Sequence, residues 1–351
     1  MGRIVILGAG VMGSAMALPF GACGHSVDLV GTPLDQGIVA AVAAGQPHPG
    51  LKIPLGAQVT ACRWTELASL MEPAPDCIVL GVASAGVDWA VEQLGAVLRR
   101  PVPILMITKG LRADGQRIEA FPPVVARELA RRTGVRALVM AIGGPCIAAE
   151  LAAGRATSVV ATGDDPALLE RVVGMLDAPY YHVACSADVI GVEVCAAFKN
   201  FFALAVGAAA SYADRAEPAL NGALAHNVVA ALFNRAVHEM AVLAERLGGR
   251  RETAFGLAGL GDLHVTCAAG RNSRMGRLLG QGLAYSDAKA TRMPNDTVEG
   301  AQLALALGPT LEVMLADGRL PAEALPLTVA VLDAVCRDAP LDVADPRLLR
   351  L

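Results

Sequence analysis

The sequence predicts an α/β domain built on a mostly parallel sheet, followed by an all-helical domain. Short apolar runs alternate with helical patterns through the first half of the 351-residue chain, which is typical of a parallel sheet covered by helices on both faces. After about Ala187 no convincing strand pattern remains, and long helical patterns take over. We therefore predict domains at residues 1–187 and 188–351.

The individual elements follow from apolar runs and their spacing. In the first domain, runs of strand type predict strands at 3–8, 26–31, 76–82, 102–110, 137–144, 156–163 and 180–185. In the second domain, helical periodicity predicts helices at 188–213, 219–247, 273–282, 297–306, 309–316 and 325–337.

The composition favours a protein with a large core over a nucleic-acid binder. Hydrophobic residues make up 54% of the chain and the net charge is −4, so no broad basic surface is expected. The eight cysteines lack zinc-type spacing, so we expect reduced thiols, no metal site and a cytoplasmic location. The apolar stretch from Phe201 to Tyr212 is shorter than the ~20 residues of a membrane span, so none is expected.

A glycine-rich segment, GAGVMG, follows the first predicted strand and opens a helix. Its glycines, Gly8, Gly10 and Gly13, match the GxGxxG pattern, which permits a tight turn, close approach of a pyrophosphate and tight helix–strand packing. The helix N-terminus would face the phosphates. The context therefore predicts a Rossmann-like dinucleotide-binding domain.

The end of the second strand leaves the choice between NAD and NADP open. An acid there favours NAD, and a basic residue favours NADP; here the strand ends in Gly31, followed by Thr32, with Asp35 three positions later. Thr32 and the backbone could accept a 2′-phosphate, whereas Asp35 could reach a ribose hydroxyl. We favour the simpler interpretation that Asp35 is an acid at a helix start.

A single lysine interrupts the apolar run EVCAAFKNFFALAVGAAAS. The residues on its helical stripe are all apolar: Val192, Cys195, Ala196, Phe202, Ala203 and Val206. An ammonium there costs free energy unless it is partnered or its pKa falls. The alternative is a lysine that extends to solvent near a helix end, but Lys199 lies in the middle of the run.

Two further segments follow predicted strands. TKGL places Lys109 at the carboxyl end of a strand, where ligands of parallel sheets bind. GGPCIAAE turns from a strand into a helix and offers backbone N–H groups. The alternatives are a solvated loop lysine and an ordinary helix start with Pro145 in its first turn.

The densest polar cluster of the second domain lies in GLGDLHVTCAAGRNSRMGRLLGQG. Arg271 and a following helix N-terminus could together bind a phosphate. Simpler interpretations are a helix cap for Asp262, a buried hydroxyl for Thr266 and a surface cation for Arg274. We prefer the interpretation of Arg274 as a surface cation.

These motifs resemble the NAD(P)-dependent glycerol-3-phosphate dehydrogenases in order and spacing over roughly residues 3 to 305. GAGVMGSA, TKGL, DVIGVEVCAAFKN, GLGDL, GRN and TVEG carry the resemblance, and the Gly31–Thr32 pair with HPGLKIPL resembles the archaeal-type branch. The resemblance implies reversible hydride transfer between dihydroxyacetone phosphate, a small phosphorylated three-carbon substrate, and sn-glycerol 3-phosphate. The cofactor would be NAD or NADP, and the product would feed phospholipid synthesis.

The resemblance also implies roles for individual residues. Lys199 matches the proton-transferring lysine, Lys109 a lysine that contacts substrate and cofactor, and Asp262 a polar residue near the reacting carbon. The remaining substrate contacts would be Gly144, Thr266, Arg271 and Asn272. The cofactor contacts would be Gly8, Gly10, Val11, Met12, Gly13, Thr32, Lys109, Ala148, Arg271 and Glu299. We expect burial to lower the pKa of Lys199 so that it acts as acid in reduction and base in oxidation.

Three departures and two alternatives accompany this interpretation. The basic residue that often follows the second strand in the family is missing here, which leaves the choice between NAD and NADP open. Cys146 replaces a hydroxyl residue of the family, and Gly270 stands where many members have serine. The first alternative is a related dehydrogenase that acts on another phosphorylated sugar or a 2-hydroxy acid. The second is a nonenzymatic NAD(P) sensor. The apolar helical domain is compatible with a homodimer.

Overall fold

The computed structural model describes residues 1–215, 221–223, 225–268 and 270–350. Contacts divide the chain into two compact units. Unit 1 comprises Met1–Lys109 and Phe121–Val189, and unit 2 comprises Gly110–Ala120 and Ile190–Leu351. The segment Gly110–Ala120 thus packs with the helical unit, whereas a single boundary near residue 187 places it in the first domain.

Ten strands form within the described residues. They are β1 (Arg3–Leu7), β2 (Ser26–Gly31), β3 (Val59–Arg63), β4 (Cys77–Leu80), β5 (Pro103–Met106), β6 (Leu111–Ala113), β7 (Ile118–Ala120), β8 (Leu138–Gly143), β9 (Thr157–Thr162) and β10 (Tyr181–Ser186). Eight of them form one sheet in the order β10-β9-β8-β5-β4-β1-β2-β3, while β6 and β7 form an antiparallel hairpin in unit 2. Within the large sheet the β8–β9 pair is antiparallel and the other pairs are parallel.

Unit 1 confirms the predicted mostly parallel sheet with two covered faces. Consecutive residues of β1 alternate between two apolar clusters: Ile4 and Ile6 belong to one, Val5 and Leu7 to the other. All four side chains are fully buried, as expected of a central parallel strand. The helices of unit 1 are α1 (Val11–Ala22), α2 (Gln36–Ala43), α3 (Val87–Val97), α4 (Phe121–Thr133), α5 (Ala148–Ala152) and α6 (Pro166–Val173).

Apart from the hairpin, the described part of unit 2 is helical, which confirms the predicted second half. Its helices are α7 (Val189–Arg215), α8 (His226–Arg246), α9 (Arg251–Phe255), α10 (Asp262–Ala268), α11 (Arg271–Gly280), α12 (Tyr285–Thr291), α13 (Glu299–Ala316), α14 (Pro326–Cys336) and α15 (Pro346–Leu349). A π-helical turn, Leu257–Gly261, precedes α10. The prediction of two helices over 297–316 was wrong, because α13 continues through Pro309, where buried Leu307 and Leu311 hold it in the core.

Helix α7 is the central helix of unit 2. Its segment Val189–Asp214 is long and apolar enough to cross a membrane by length and composition, but 83% of its apolar stretch is buried inside the protein. Helix α11 crosses it closely, since a Cβ on Gly276 would lie 2.1 Å from the Leu204 carbonyl oxygen and one on Gly280 2.4 Å from that of Ala208. The two glycines therefore permit backbone contact, which places the first turn of α11 beside the polar residues of α7.

Candidate active site

The glycine-rich turn of unit 1 has the shape that a dinucleotide requires. Gly8 has φ +116°, and a Cβ on it would lie 2.7 Å from the Gly81 carbonyl carbon. A Cβ on Gly13 would lie 2.1 Å from the Gly8 carbonyl oxygen, so this position permits close packing of α1. Nothing lies within 4 Å of a Cβ on Gly10, which leaves space beside the first-turn amides of α1 for a pyrophosphate. Val11, at the start of α1, is 43% exposed.

A buried histidine, which the sequence analysis missed, holds this turn in place. His48 lies in the HPGLKIPL loop and its ring is fully buried. Its Nδ1 accepts hydrogen bonds from the backbone N–H groups of Gly50 (3.1 Å) and Leu51 (3.0 Å). Nδ1 therefore carries no proton, and Nε2–H donates to the Ala9 carbonyl at 3.2 Å. The available signal was the Pro-flanked histidine itself, but a histidine in a loop does not reveal its partner.

Asp35 lies at the start of α2, as expected, but its carboxylate points back to the glycine-rich turn. Oδ2 accepts hydrogen bonds from the backbone N–H groups of Thr32 (2.8 Å) and Ala9 (3.3 Å), and the side chain forms no cap bond to α2. The Thr32 hydroxyl accepts from the Leu34 N–H at 3.2 Å.

Lys109 and the β8–α5 turn come together within unit 1. Strand β5 ends at Met106, three residues before Lys109, and the Lys109 ammonium donates to the Gly144 carbonyl at 3.1 Å. Gly144 has φ +106° and a Cβ on it would lie 3.2 Å from Val159 Cα, so both conformation and space favour glycine. Cys146 packs partly buried against the apolar cluster, and Ala148 begins α5.

The buried lysine of unit 2 has a carboxylate partner. Lys199 lies on α7 and Asp262 at the start of α10, and they form an ion pair in which the side chains are 11% and 1% exposed. The π-helical turn before Asp262 contacts the preceding helix closely, because a Cβ on Gly259 would lie 2.2 Å from the Ala254 carbonyl oxygen. Such turns recur at functional sites; here the turn leads directly into the helix that carries the carboxylate.

Two other side chains of α10 lie near this pair. The Thr266 hydroxyl donates to the Asp262 carbonyl at 2.7 Å, so its proton is used within the helix and its oxygen can still accept. Burial raises the pKa of the Cys267 thiol to about 12, and the charge of Lys199 acts in the opposite direction. Cys267 is therefore a neutral thiol at ordinary pH.

A chain of amides and a carboxylate joins α7, α11 and α13. Asn272 donates to the Asn200 side-chain oxygen at 2.9 Å, and Asn200 donates to Glu299 at 3.1 Å. The Asn272 side-chain oxygen accepts from the Gly300 N–H at 2.9 Å. Arg271 lies 3.4 Å from the other Glu299 oxygen, and both side chains are about half exposed (50% and 53%). The sequence analysis missed Asn200, although its place directly after Lys199 in an apolar helix was a signal.

The structure thus groups the predicted residues of each unit separately. In unit 1 the glycine-rich turn, Lys109 and Gly144 lie at the carboxyl edge of a parallel sheet, where nucleotides bind in such folds. In unit 2 a buried lysine–carboxylate pair supplies a group that can exchange a proton. Arg271 begins a ten-residue helix, and the N-terminus of such a helix is suited to binding an anion. These are the parts of a two-domain nucleotide-dependent dehydrogenase.

Comparison with known proteins identifies the family. Residues 3–169 match the family described as NAD-dependent glycerol-3-phosphate dehydrogenase N-terminus, and residues 188–342 match its C-terminus counterpart. The chain belongs to the NAD-dependent glycerol-3-phosphate dehydrogenase family.

Individual relatives agree with this assignment. The NADP(+)-dependent glycerol-3-phosphate dehydrogenase of Archaeoglobus fulgidus is 34% identical over 81% of this chain and 82% of its own length. The glycerol-3-phosphate dehydrogenase [NAD(P)+] of Aromatoleum aromaticum is 35% identical over 81% of each chain. The crystal structure of the Coxiella burnetii glycerol-3-phosphate dehydrogenase has 27% identity, a TM-score of 0.79, and coverage of 100% of this chain and 99% of that one.

Proposed function

We propose that this chain catalyses the reversible NAD(P)-dependent interconversion of dihydroxyacetone phosphate and sn-glycerol 3-phosphate. The observation that carries the proposal is the buried Lys199–Asp262 ion pair, in a chain whose relatives are named for this activity. A nonenzymatic nucleotide sensor has no need of a charged pair inside its helical unit, where burial of charges costs free energy.

Reduction of a ketone requires a hydride at carbon and a proton at oxygen. The nicotinamide cofactor, held by the glycine-rich turn, supplies the hydride when it is bound. Lys199 donates its proton to the carbonyl oxygen during reduction and takes it back during oxidation. Burial destabilises the ammonium, whereas the adjacent Asp262 carboxylate stabilises it. The carboxylate also fixes the position of Nζ, so the proton is presented from one direction.

The substrate phosphate is bound at the start of α11. Arg271 begins this helix, and its half-exposed guanidinium is paired with Glu299. The first-turn amides add partial positive charge. Asn272 and Asn200 are held by their mutual hydrogen bond, so amide groups lie in fixed positions next to Lys199. In unit 1, the Lys109 ammonium is held by the Gly144 carbonyl, and we propose that it contacts substrate and cofactor.

A substrate and cofactor panel tests the proposed function. Dihydroxyacetone phosphate, unphosphorylated dihydroxyacetone and a 2-oxo acid are each supplied with NADH and with NADPH, and the loss of nicotinamide absorbance is followed. Turnover should be fast only with dihydroxyacetone phosphate. Preferred turnover of the 2-oxo acid would assign the chain to another dehydrogenase, and a flat trace with tight nucleotide binding would favour a sensor.

We further propose that the chain belongs to the archaeal-type branch of the family. The Gly31–Thr32 pair, the HPGLKIPL loop and the similarity to the Archaeoglobus fulgidus relative support this placement. A tree of family sequences should group the chain with that relative; a position among the bacterial members of the family would contradict it.

We propose a cytoplasmic location, a role in phospholipid synthesis and a homodimer. None of the eight cysteines, all of which the structure describes, forms a disulfide, which supports a reducing, cytoplasmic location. The product, sn-glycerol 3-phosphate, would serve as the backbone of glycerophospholipids. Light scattering of the purified protein should show a homodimer. Recovery of the protein in a membrane or secreted fraction, or a monomer in solution, would contradict the respective proposal.

A further inference from the structure

Position 31, at the end of β2, has no room for the acidic side chain that usually forms hydrogen bonds with the adenosine ribose. Gly31 is the last residue of the strand, and a Cβ on it would lie 2.3 Å from Val39 Cγ2 of α2. The same point lies 3.2 Å from the Cβ of Asp35. The Asp35 side chain therefore begins next to the place that a side chain at position 31 would occupy. It also follows the last glycine of the turn by about 20 residues, the usual spacing of a ribose-reading acid.

The carboxylate of Asp35 is fixed by backbone groups from both sides. Its Oδ2 is bound by the N–H of Thr32, just after β2, and by the N–H of Ala9, in the glycine-rich turn. Among the described residues, Oδ1 has no hydrogen-bond partner. A half-buried acceptor oxygen is thus held in position between the turn and the strand end.

Few positive charges lie near this carboxylate along the chain. No lysine or arginine occurs between Thr32 and Leu51, and the His48 ring is neutral because Nδ1 accepts two hydrogen bonds. The nearest cation in the sheet register is Arg63, the β3 partner of Gly31. Its guanidinium is largely exposed and paired with Glu66 at 3.4 Å, so it is already partly neutralised.

We propose that Asp35 reads the adenosine ribose and makes this chain prefer NAD over NADP. The free oxygen accepts hydrogen bonds from ribose hydroxyls, whereas a 2′-phosphate would bring up to two negative charges against a fixed carboxylate. The assignment rests on the dinucleotide binding of the proposed function. Similarity to the Archaeoglobus fulgidus relative, which is named NADP(+)-dependent, would by itself predict the opposite preference.

Nucleotide binding without substrate tests the assignment directly. Dissociation constants for NADH and NADPH are measured by fluorescence titration for the wild type and for Asp35→Asn, which keeps an amide oxygen for the Thr32 N–H. The wild type should bind NADH at least tenfold more tightly than NADPH, a difference that corresponds to about one charge-assisted hydrogen bond. Asp35→Asn should weaken NADH binding, strengthen NADPH binding and bring the ratio close to one.

The matched control is Asp165→Asn. Asp165 caps α6 through the Leu168 N–H at 3.1 Å, so its replacement makes the same change in charge at another helix start of unit 1. It should leave the ratio unchanged.

Three results would overturn the assignment. They are a wild type that binds NADPH as tightly as NADH, an unchanged ratio in Asp35→Asn, and a selective loss of NADPH binding in Arg63→Gln. The first applies even if Asp35→Asn does not fold. A wild type that binds neither nucleotide would contradict the proposed function itself and this assignment with it, whereas an inactive chain that still discriminates between them would contradict only the activity.

Discussion

We predict that the stability of unit 2 depends on pH through Glu239. This fully buried glutamate of α8 accepts hydrogen bonds from the backbone N–H groups of Leu327 and Thr328 and from the Thr328 hydroxyl, each at 2.7 Å. It therefore caps the first turn of α14 from a neighbouring helix. Burial raises the pKa of Glu239 to about 7, although these hydrogen bonds and the charge of Arg235 act in the opposite direction.

The sign and size of the effect follow from proton linkage. Because the pKa is higher in the folded state than in the unfolded chain, the folded protein binds the proton more tightly. The resulting contribution to the free energy of unfolding is fully present below the unfolded pKa of about 4.5 and is lost as the pH rises through 7. Between pH 5 and pH 8 the loss amounts to about 2.5 kcal/mol.

Glu239→Gln isolates this contribution, since glutamine resembles the protonated side chain and does not titrate. Unfolding by urea is followed by circular dichroism at pH 5 and pH 8. From pH 5 to pH 8, the free energy of unfolding of the wild type should fall by about 2.5 kcal/mol more than that of the variant. The control is Glu245→Gln on the same helix, where the side chain is exposed and paired with Arg251. Equal pH dependence in the wild type and Glu239→Gln would refute the reasoning.

Two further predictions concern the phosphate site and the crossing of α11 with α7. Arg271→Ala should raise KM for dihydroxyacetone phosphate far more than for unphosphorylated dihydroxyacetone, because the proposed role of the guanidinium is to bind the phosphate; equal effects in steady-state kinetics would contradict that role. Gly276→Ala should lower the melting temperature by several degrees, since its Cβ would lie 2.1 Å from the Leu204 carbonyl. Gly174→Ala, with nothing within 4 Å, is its control, and similar melting temperatures would contradict the close packing.

The fold was predictable where burial produces a strong pattern. The central strands of unit 1 are continuous apolar runs because both faces are covered, and these were found. Strand β3 was missed because it lies at the edge of the sheet, where only Cys62 of its five residues is buried. The hairpin of β6 and β7 was missed because each strand has three residues.

The candidate site was predictable where a residue type conflicts with its surroundings. Lys199 stood out because an ammonium in an apolar stripe requires a partner, but the partner, Asp262, is 63 residues away. Asn200 and His48 were missed because amides and imidazoles occur in many environments. Their functions become visible only through contacts 72 and 39 residues distant in the chain, with Asn272 and Ala9.

Removal of the Lys199 amine carries one structural cost. Lys199→Ala leaves the buried Asp262 carboxylate without its cation, which can cost several kcal/mol of stability. The double variant Lys199→Ala/Asp262→Asn removes that unpaired charge and serves as the folding control.

The rate of dihydroxyacetone phosphate reduction by Lys199→Ala tests the central claim, that this lysine supplies the proton. Cofactor affinity is measured on the same sample by fluorescence titration. We predict that kcat falls by several orders of magnitude while the cofactor dissociation constant changes little. Near wild-type turnover in a folded variant that binds its cofactor would contradict the mechanism.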